Sequence, residues 1–410
     1  MARDHSASSA AALVALLSLS AAAQSPFDAR EPASNRSTRE TIELGRFLFE
    51  SKALGEDGST SCATCHDPLR SFADGLRNAR GRLNVGIGRN SPTLFAIGLI
   101  EKFRDPGQAH TARPGRRPRV LSLEDRCLEP LQNPLEMGHS VESAVAGLKK
   151  DKAMDRLFDR AFGQPGEGVT RDRLAKSLAA FVRGVAPPPT PYREYLEGDQ
   201  AALSEAELGG LLIFDGRGRC NQCHTGPALS DGLMHVVDPP DGQRMLDRER
   251  EASERRIELL RRKIMAEDPE RLARLSAPDL EKEAREMTAS LPGGGGYDPS
   301  QVEVQTPTLW DVARTAPYFR DGSIKDLRTA VQTHVTELCE VAARGDSIRR
   351  AIAEVDKAGK RSPKSLRPPW DSRRRPAPES LSREDIDHLV AFLEACSPRP
   401  TSTAARKVGR

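Results

Sequence analysis

Four of the seven cysteines lie in two short runs of the same spacing, CATCH at 62–66 and CNQCH at 220–224. Two thiols three positions apart share one face of a helical turn. Both can therefore form thioethers with one porphyrin edge, while the adjoining histidine binds its iron. A redox dithiol or half of a zinc site would use the same cysteines. Because the run with its histidine occurs twice, we predict two covalently attached haems c. The predicted attachment residues are Cys62, Cys65, His66, Cys220, Cys223 and His224.

The elements that must position these runs are helices. Residues 40–49, with apolar positions at helical spacing, precede the first run, and residues 203–214 precede the second, where Ser204 and Glu207 form a capping box. The chain therefore reads as an imperfect duplication, with the prolines at 187–189 as a stiff boundary. We predict a mostly α fold of two cytochrome c-like domains, 24–190 and 191–400. Each would carry one haem c and long irregular segments.

Composition and the N-terminus limit the class of protein. Of the 410 residues, 4% are aromatic, and the formal net charge of +3 is too small for a nucleic-acid-binding protein. Arg3, the apolar run 10–19 and the alanines 21–23 are typical of a secretory signal peptide spanning 1–23. No later stretch is apolar enough to span a membrane. We therefore expect a periplasmic protein with no membrane span in its mature chain.

Several stretches make the chain resemble the bacterial di-haem cytochrome c peroxidases and their relatives, including the di-haem oxidase of methylamine utilisation. They are SCATCHDP at 61–68, RNSPTL at 89–94, the segments 121–137, 203–227 and 306–331, and a closing helix at 381–393. The resemblance implies an N-terminal peroxidatic haem with His66 as proximal ligand. It also implies a C-terminal haem, with His224 proximal, that accepts electrons from a partner.

By the same resemblance, Glu136 is the acid–base residue of peroxide reduction, which takes two electrons and two protons at an open iron face. The family's glutamine partner of this glutamate is replaced here by Arg126. A guanidinium there would favour the ionised carboxylate or polarise bound peroxide. We therefore predict Arg126 as a second catalytic residue. Outside this pattern, Glu136 would be an ordinary surface carboxylate.

The resemblance also implies a sixth ligand for the C-terminal haem and a calcium site. Where the family has methionine or tyrosine, this chain has His334, and an imidazole there should lower the reduction potential relative to methionine. The Ca²⁺ ion would be bound by the Asn90 side chain and the backbone carbonyls of Thr315 and Pro317, an all-oxygen set. The alternative for Asn90 is an ordinary turn residue.

Two departures from the family pattern carry consequences. The loop histidine that closes the N-terminal iron in many members is absent from Gly81–Gly88, where Arg82 lies near the equivalent position. We therefore expect an open N-terminal haem that needs no reductive activation. The family's inter-haem tryptophan is replaced by Arg104, which removes that aromatic path between the haems.

Two insertions interrupt the resemblance. Residues 243–290 contain 12 basic and 12 acidic residues, and pairs such as Glu251–Arg255 and Glu258–Arg262 favour exposed helix broken at prolines. A solvated helical excursion is preferred over a partner-docking arm. Residues 345–378 are basic and proline-rich, either an unstructured loop or, with arginines at 113–119, a surface that steers an acidic donor. Cys339 and Cys396 flank this second insertion and could pair.

These observations favour one function and leave two alternatives. The favoured function is reduction of hydrogen peroxide with electrons from a small cytochrome c or cupredoxin. The alternatives are a di-haem oxidase acting on a protein side chain, and a non-enzymatic electron-transfer cytochrome if the Arg104 and Arg126 changes have disabled the site. The implied cofactors are two haems c and one Ca²⁺. A homodimer is consistent with the resemblance.

Overall fold

The computed structural model describes residues 25–29, 31–100, 103–104, 120–236, 242–289, 303–337, 339 and 380–400. The predicted signal peptide, the basic insertion at 345–378 and the arginines at 113–119 lie outside these ranges. The glycines at 293–296 also lie outside them.

The described part of the chain is mostly helical, as predicted, with long irregular segments between helices. The helices are α1 Arg39–Glu50, α2 Cys62–Cys65, α3 Leu123–Gln132, α4 Val141–Lys149, α5 Lys152–Phe162, α6 Arg171–Arg183, α7 Pro191–Leu196, α8 Glu205–Asp215, α9 Gly242–Glu267, α10 Pro269–Arg274, α11 Ala277–Ala289, α12 at 327–337 and α13 Arg383–Ala395. Two antiparallel strand pairs accompany them: β1 Phe103–Arg104 with β2 Val120–Leu121, and β3 Met234–Val236 with β4 Glu303–Gln305.

The first helical unit is organised around the crossing of α1 and α6. The two backbones approach so closely at Gly45 that a Cβ there would lie 1.9 Å from the carbonyl oxygen of Ser177 and 2.9 Å from the Cβ of Phe181. Only glycine fits this contact. The buried core around it includes Leu44, Leu48, Phe49, Leu174 and Leu178.

The second helical unit repeats this crossing between α8 and α13. A Cβ on Gly210 would lie 1.9 Å from the carbonyl oxygen of His388 and 2.7 Å from the Cβ of Phe392. In both crossings, a phenylalanine follows the contacted carbonyl by four residues, one helical turn. The predicted capping box of α8 is present, with a 2.7 Å bond from the Ser204 amide to Glu207. The repeated contact is what an imperfect duplication requires.

The charged insertion forms three helices, α9 to α11, and Pro269 begins the second of them. Both predicted ion pairs are present, Arg255–Glu251 at 3.3 Å and Arg262–Glu258 at 2.6 Å. The insertion is nevertheless more than a solvated excursion, because it has its own apolar core. That core contains Leu260, Ile264, Leu280 and Ala284. Among the described residues, no helix combines the length and apolar character needed to cross a membrane.

Candidate functional site

The first Cys-x-x-Cys-His run sits on the single turn of α2, whose N-terminus is capped by Ser61 and Thr64. The His66 ring follows it, with Nδ1 3.1 Å from the carbonyl oxygen of Phe72 and 3.0 Å from that of Pro92. Since carbonyls only accept, Nδ1 carries the proton and Nε2 keeps its lone pair. Burial lowers the pKa of His66, against a smaller opposing effect of these carbonyls. The ring is therefore held as a neutral imidazole that can bind a metal.

The two thiols of this run are protonated groups in apolar surroundings. Burial raises the pKa of both Cys62 and Cys65 to about 12, with the nearby Glu136 charge acting in the same direction. Cys127 on α3 is a third thiol beside them, and burial followed by the proximity of Cys62 raises its pKa. No sequence pattern assigns a role to Cys127, because its approach to Cys62 spans 65 positions and depends on how α3 packs.

Glu136 lies beside the first run. Its carboxylate is 12% exposed and pairs with Arg89. The Asn133 side chain donates to the same carboxylate oxygen over 2.6 Å. The Glu136 charge acts to raise the pKa of Cys62, Cys65 and His66, so Glu136 lies near all three.

The cation on Glu136 differs from the one expected. Arg126 pairs instead with Glu129, one turn along α3, and reaches Gln305 at 3.4 Å. Arg126 and Glu129 are three residues apart on one helix face, a spacing at which side chains pair within the helix. Arg89, the first residue of the RNSPTL stretch, takes the place expected for Arg126. The resemblance had marked that stretch, but not which of its side chains would reach Glu136.

Residues 79–89 form a closed loop that holds the Glu136 segment. The loop is closed by backbone bonds between Ala79 and Arg89, 3.0 Å, and between Ile87 and Ala79, 2.9 Å. Near its tip, the Arg82 amide donates to the carbonyl oxygens of Glu136, 2.9 Å, and Leu135, 3.2 Å. The Arg82 side chain is buried against Glu56 at 2.7 Å. The loop thus contacts Glu136 through the Arg82 backbone and the Arg89 side chain.

The second run is arranged around two imidazoles. His224 donates from Nδ1 to the carbonyl oxygen of Leu229, 3.1 Å away, which leaves Nε2 available as a ligand. His334 on α12 faces it, with ring centroids 6.5 Å apart and ring planes at 68°. Two imidazoles on opposite sides of one metal ion have their ring centres about 6 Å apart, since each metal–nitrogen bond is about 2 Å. The predicted axial pair is therefore brought together across 110 positions of sequence.

Burial keeps the second imidazole neutral. The pKa of His334 falls to about 4, because the ring is removed from water and, secondarily, because a charge on His224 would repel its own. Phe319 and Phe214 enclose the pair, with ring centroids 6.3 Å from His334 and 6.5 Å from His224 respectively. At neutral pH both rings are in the form that donates a lone pair.

An aromatic contact between Phe72 and Phe95 joins the cores of the two helical units. Arg104 lies in β1, paired with Val120 of β2. Phe72 packs on the core of the first unit and Phe95 on that of the second, with ring centroids 5.4 Å apart. Trp310, fully buried, stacks on Tyr192 inside the second unit instead.

The three predicted calcium ligands lie on two segments that touch. The Asn90 amide donates to the Arg320 carbonyl over 2.7 Å, three residues beyond Pro317. The Asn90 side-chain nitrogen donates to the Leu76 carbonyl over 2.9 Å, which leaves its oxygen free to coordinate. Thr315 donates its hydroxyl to the Val312 carbonyl over 3.1 Å. The ligand set itself stays a prediction.

An ion pair lies beside the second run. His235 binds Asp231 at 2.8 Å, and both lie close to Cys223. Although burial opposes it, hydrogen bonds to Asp231 and Cys223 raise the pKa of His235 to about 9.

Cys396 is a buried thiol that donates to the Phe392 carbonyl over 3.5 Å. The disulfide with Cys339 that the sequence allowed is not formed.

The residues around both runs fit a c-type haem. Each run presents two reduced cysteines next to a histidine whose Nδ1 is held by backbone carbonyls and whose Nε2 is available. The spacing of the His224 and His334 rings has room for one iron between them. The two environments differ, because the first run has a carboxylate nearby and the second has an imidazole.

Comparisons with known proteins agree with this arrangement. Residues 39–201 match the di-haem cytochrome c peroxidase family. The methylamine utilization protein MauG of Methylorubrum extorquens is 30% identical over 392 residues, covering 94% of this chain and 86% of that protein. Cytochrome-c peroxidase IdrP2 of Denitromonas iodatirespirans is 28% identical over 376 residues, covering 91% and 86% respectively. The crystal structure of the diheme peroxidase BthA from Burkholderia thailandensis shares the fold, with a TM-score of 0.55, 21% identity, and coverage of 90% of this chain and 89% of that one.

The fold, the paired runs and these relatives define a two-haem oxidoreductase of the cytochrome-c peroxidase type. The chain belongs to the di-haem cytochrome c peroxidase family, which includes MauG, as the resemblance of its motifs predicted.

Proposed function

We propose that this protein reduces hydrogen peroxide to water with electrons from a small cytochrome c or cupredoxin. The observation that carries the proposal is the Glu136 carboxylate beside the first run, held by Arg89 and Asn133. The second run has His334 facing its histidine. One haem would thus be closed by two imidazoles and suited to electron transfer, and the other would be served by a proton-transfer group.

Each half of the chain would hold one haem. Cys62, Cys65 and His66 would hold the peroxidatic haem in domain 24–190. The electron-transfer haem in domain 191–400 would be held by Cys220, Cys223, His224 and, as sixth ligand, His334. Ca²⁺ bound by Asn90 with the carbonyls of Thr315 and Pro317 would tie the two domains together, where their segments already share the Asn90–Arg320 bond.

When bound, the haems supply the two electrons that peroxide reduction consumes. Glu136 accepts a proton from the near oxygen of peroxide and delivers it to the oxygen that leaves as water. Arg89 and Asn133 both bind one oxygen of the Glu136 carboxylate and so orient it for these transfers. Because Glu136 only moves a proton that peroxide already carries, two further protons from solvent complete the formation of two water molecules.

Haem attachment and the N-terminal segment both bear on where in the cell the reaction takes place. Covalent haem attachment and the signal-peptide pattern at 1–23 both fit export to the periplasm. The Glu136 site retains a cation and an amide although Arg126 lies elsewhere, which supports a working site despite the Arg126 substitution. This favours an enzyme over a plain electron-transfer cytochrome.

Peroxide turnover by the purified, fully oxidised holoprotein tests this function. With a reduced small c-type cytochrome as donor, we expect turnover without any reductive pretreatment, because loop 81–88 has no histidine to close the first iron. If turnover appears only after the C-terminal haem is reduced, the open-site part of the proposal is wrong. If none appears in either state, the peroxidase is wrong and oxidation of a protein side chain becomes the leading function.

Haem stoichiometry tests the assignment of the attachment residues. We expect the pair Cys62→Ala with Cys65→Ala to lose one of two haems, and Cys220→Ala with Cys223→Ala to lose the other. Haem content per chain is measured from the pyridine haemochrome spectrum of denatured protein.

Cys127→Ala is the matched control for the haem count, because this buried thiol adjoins Cys62 but lies outside both runs. It should retain both haems. Loss of a haem from the Cys127 variant, or retention of two by either double variant, would overturn the assignment.

A further inference from the structure

The helical insertion contacts the loop that holds Glu136, defined above as residues 79–89. Arg262 of α9 donates to the carbonyl oxygens of Leu83, 2.8 Å, and Asn84, 3.4 Å, at the tip of the loop. Seven residues earlier, the Arg255 guanidinium packs on Gly88, where an added Cβ would lie 2.6 Å from its central carbon. The insertion therefore contacts the loop at its tip, through Leu83 and Asn84, and near its base, at Gly88.

The face of α9 that makes these contacts is distinct from the face that closes the insertion's own core. Arg255, Leu259 and Arg262 recur at i, i+4 and i+7, so they lie on one side of the helix. Leu259, between the two arginines, is fully buried. Leu260 and Ile264 belong instead to the core shared with α11. One side of α9 thus holds the insertion together, and the other docks it on the loop.

The loop needs such support. Leu83 and Asn84 both have left-handed backbone conformations, with φ of 51° and 59°. Non-glycine residues pay a conformational cost in this region and keep it only where surrounding contacts require it. The Leu83 amide donates to Asp57, 3.1 Å away, on the inner side, and Arg262 binds the carbonyls on the other. Each arginine is itself held by a glutamate on α9, Glu251 for Arg255 and Glu258 for Arg262.

We infer that Arg262 and Arg255 are positioning residues for the peroxide site, acting through loop 79–89 on Glu136. Arg262 fixes the tip, where the Arg82 amide binds the Glu136 carbonyl. Arg255 fixes Gly88, next to the Arg89 guanidinium that binds the Glu136 carboxylate. The insertion thereby holds the acid–base group in one arrangement. This inference rests on the proposed peroxidase function for its catalytic consequence, but not for the structural coupling.

Hydrogen–deuterium exchange of the holoprotein tests the coupling directly. In Arg262→Ala, exchange at the loop amides of Arg82, Val85 and Ile87 should rise by about tenfold to a hundredfold, the equivalent of one lost hydrogen bond from a charged donor. Arg262→Lys, which keeps a donor, should restore most of the protection. Peroxide kinetics should show kcat about tenfold lower with KM little changed, because the acid–base group is displaced while access is not.

Arg274→Ala is the matched control, since Arg274 lies on α10 of the same insertion, and its ion pairs among the described residues are with Asp268 at 3.8 Å and Glu270 at 3.9 Å, both within the insertion. It should leave loop exchange and kcat unchanged. Unchanged loop exchange in Arg262→Ala, or an equal rise in Arg274→Ala, would refute the inference. If Arg262→Ala does not fold, Arg255→Ala carries the same test. A wild-type protein without peroxide turnover would refute the proposed function alone, because the exchange measurement still reports on the coupling.

Discussion

Replacing Glu136 with glutamine is expected to lower peroxide turnover by about two to four orders of magnitude, the usual contribution of a positioned acid–base group. Glutamine keeps the size of the side chain and can still accept a hydrogen bond from Arg89 or Asn133. It cannot take a proton from one peroxide oxygen and return it to the other. The loss should therefore appear in kcat, measured by stopped-flow oxidation of the donor cytochrome, with haem content and helical circular dichroism unchanged.

Glu129→Gln is the matched control for this variant. Glu129 is a half-buried carboxylate on α3, and its partner is Arg126 rather than Arg89. Its replacement should change turnover by less than about twofold, in the range of an ordinary surface-pair loss. Wild-type turnover in Glu136→Gln would remove Glu136 from the mechanism. An equal loss in both variants would point to a general structural effect instead.

Replacing His334 with alanine is expected to convert the C-terminal haem from a low-spin to a high-spin ferric centre. His334 faces His224 across the 6.5 Å ring separation, so its removal leaves that iron with one axial imidazole. The electron paramagnetic resonance spectrum should lose one low-spin signal. Exogenous imidazole should restore it, because the vacated space is the size of the missing ring.

His334→Met gives the second part of this prediction. A thioether in place of imidazole should raise the reduction potential of the C-terminal haem by on the order of 0.1 V, since axial ligands tune haem potentials over about 0.8 V. Spectroelectrochemical titration measures the shift. Thr336→Ala, on the exposed face of the same helix, should leave both spectrum and potential unchanged. A potential that does not move in His334→Met would mean that His334 is not an axial ligand.

The geometry of the two cysteine–histidine runs was predictable because it is local. Cys62, Cys65 and His66 are set by one helical turn, and the bond from Ser204 to Glu207 is set by another. A spacing of three or four residues has the same meaning wherever the helix packs. The positions of the helices around both runs followed from hydrophobic periodicity for the same reason.

The partners of Glu136 were not predictable at this level. Arg126 stands where the resemblance predicted the cation, but its nearest carboxylate in space is Glu129 on its own helix. Arg89 reaches Glu136 across 47 positions because loop 79–89 folds back on the Glu136 segment. Such a choice between two arginines depends on loop closure, which no local spacing encodes. The docking of α9 on that loop was missed for the same reason: alternating charges predicted helix, but not which face would be covered.

Local patterns in the sequence were enough to identify two Cys-x-x-Cys-His runs, a duplicated helical framework, and candidates for a proton-transfer residue and a sixth ligand. Which of those candidates meet depends on the tertiary structure. The packing of the chain brings His334 to face His224 and Arg89 to pair with Glu136. It also places helix α9 of the charged insertion against loop 79–89. The spacing of residues along the chain determines which side chains share a helical turn, whereas contacts between distant segments depend on the packing of the whole chain.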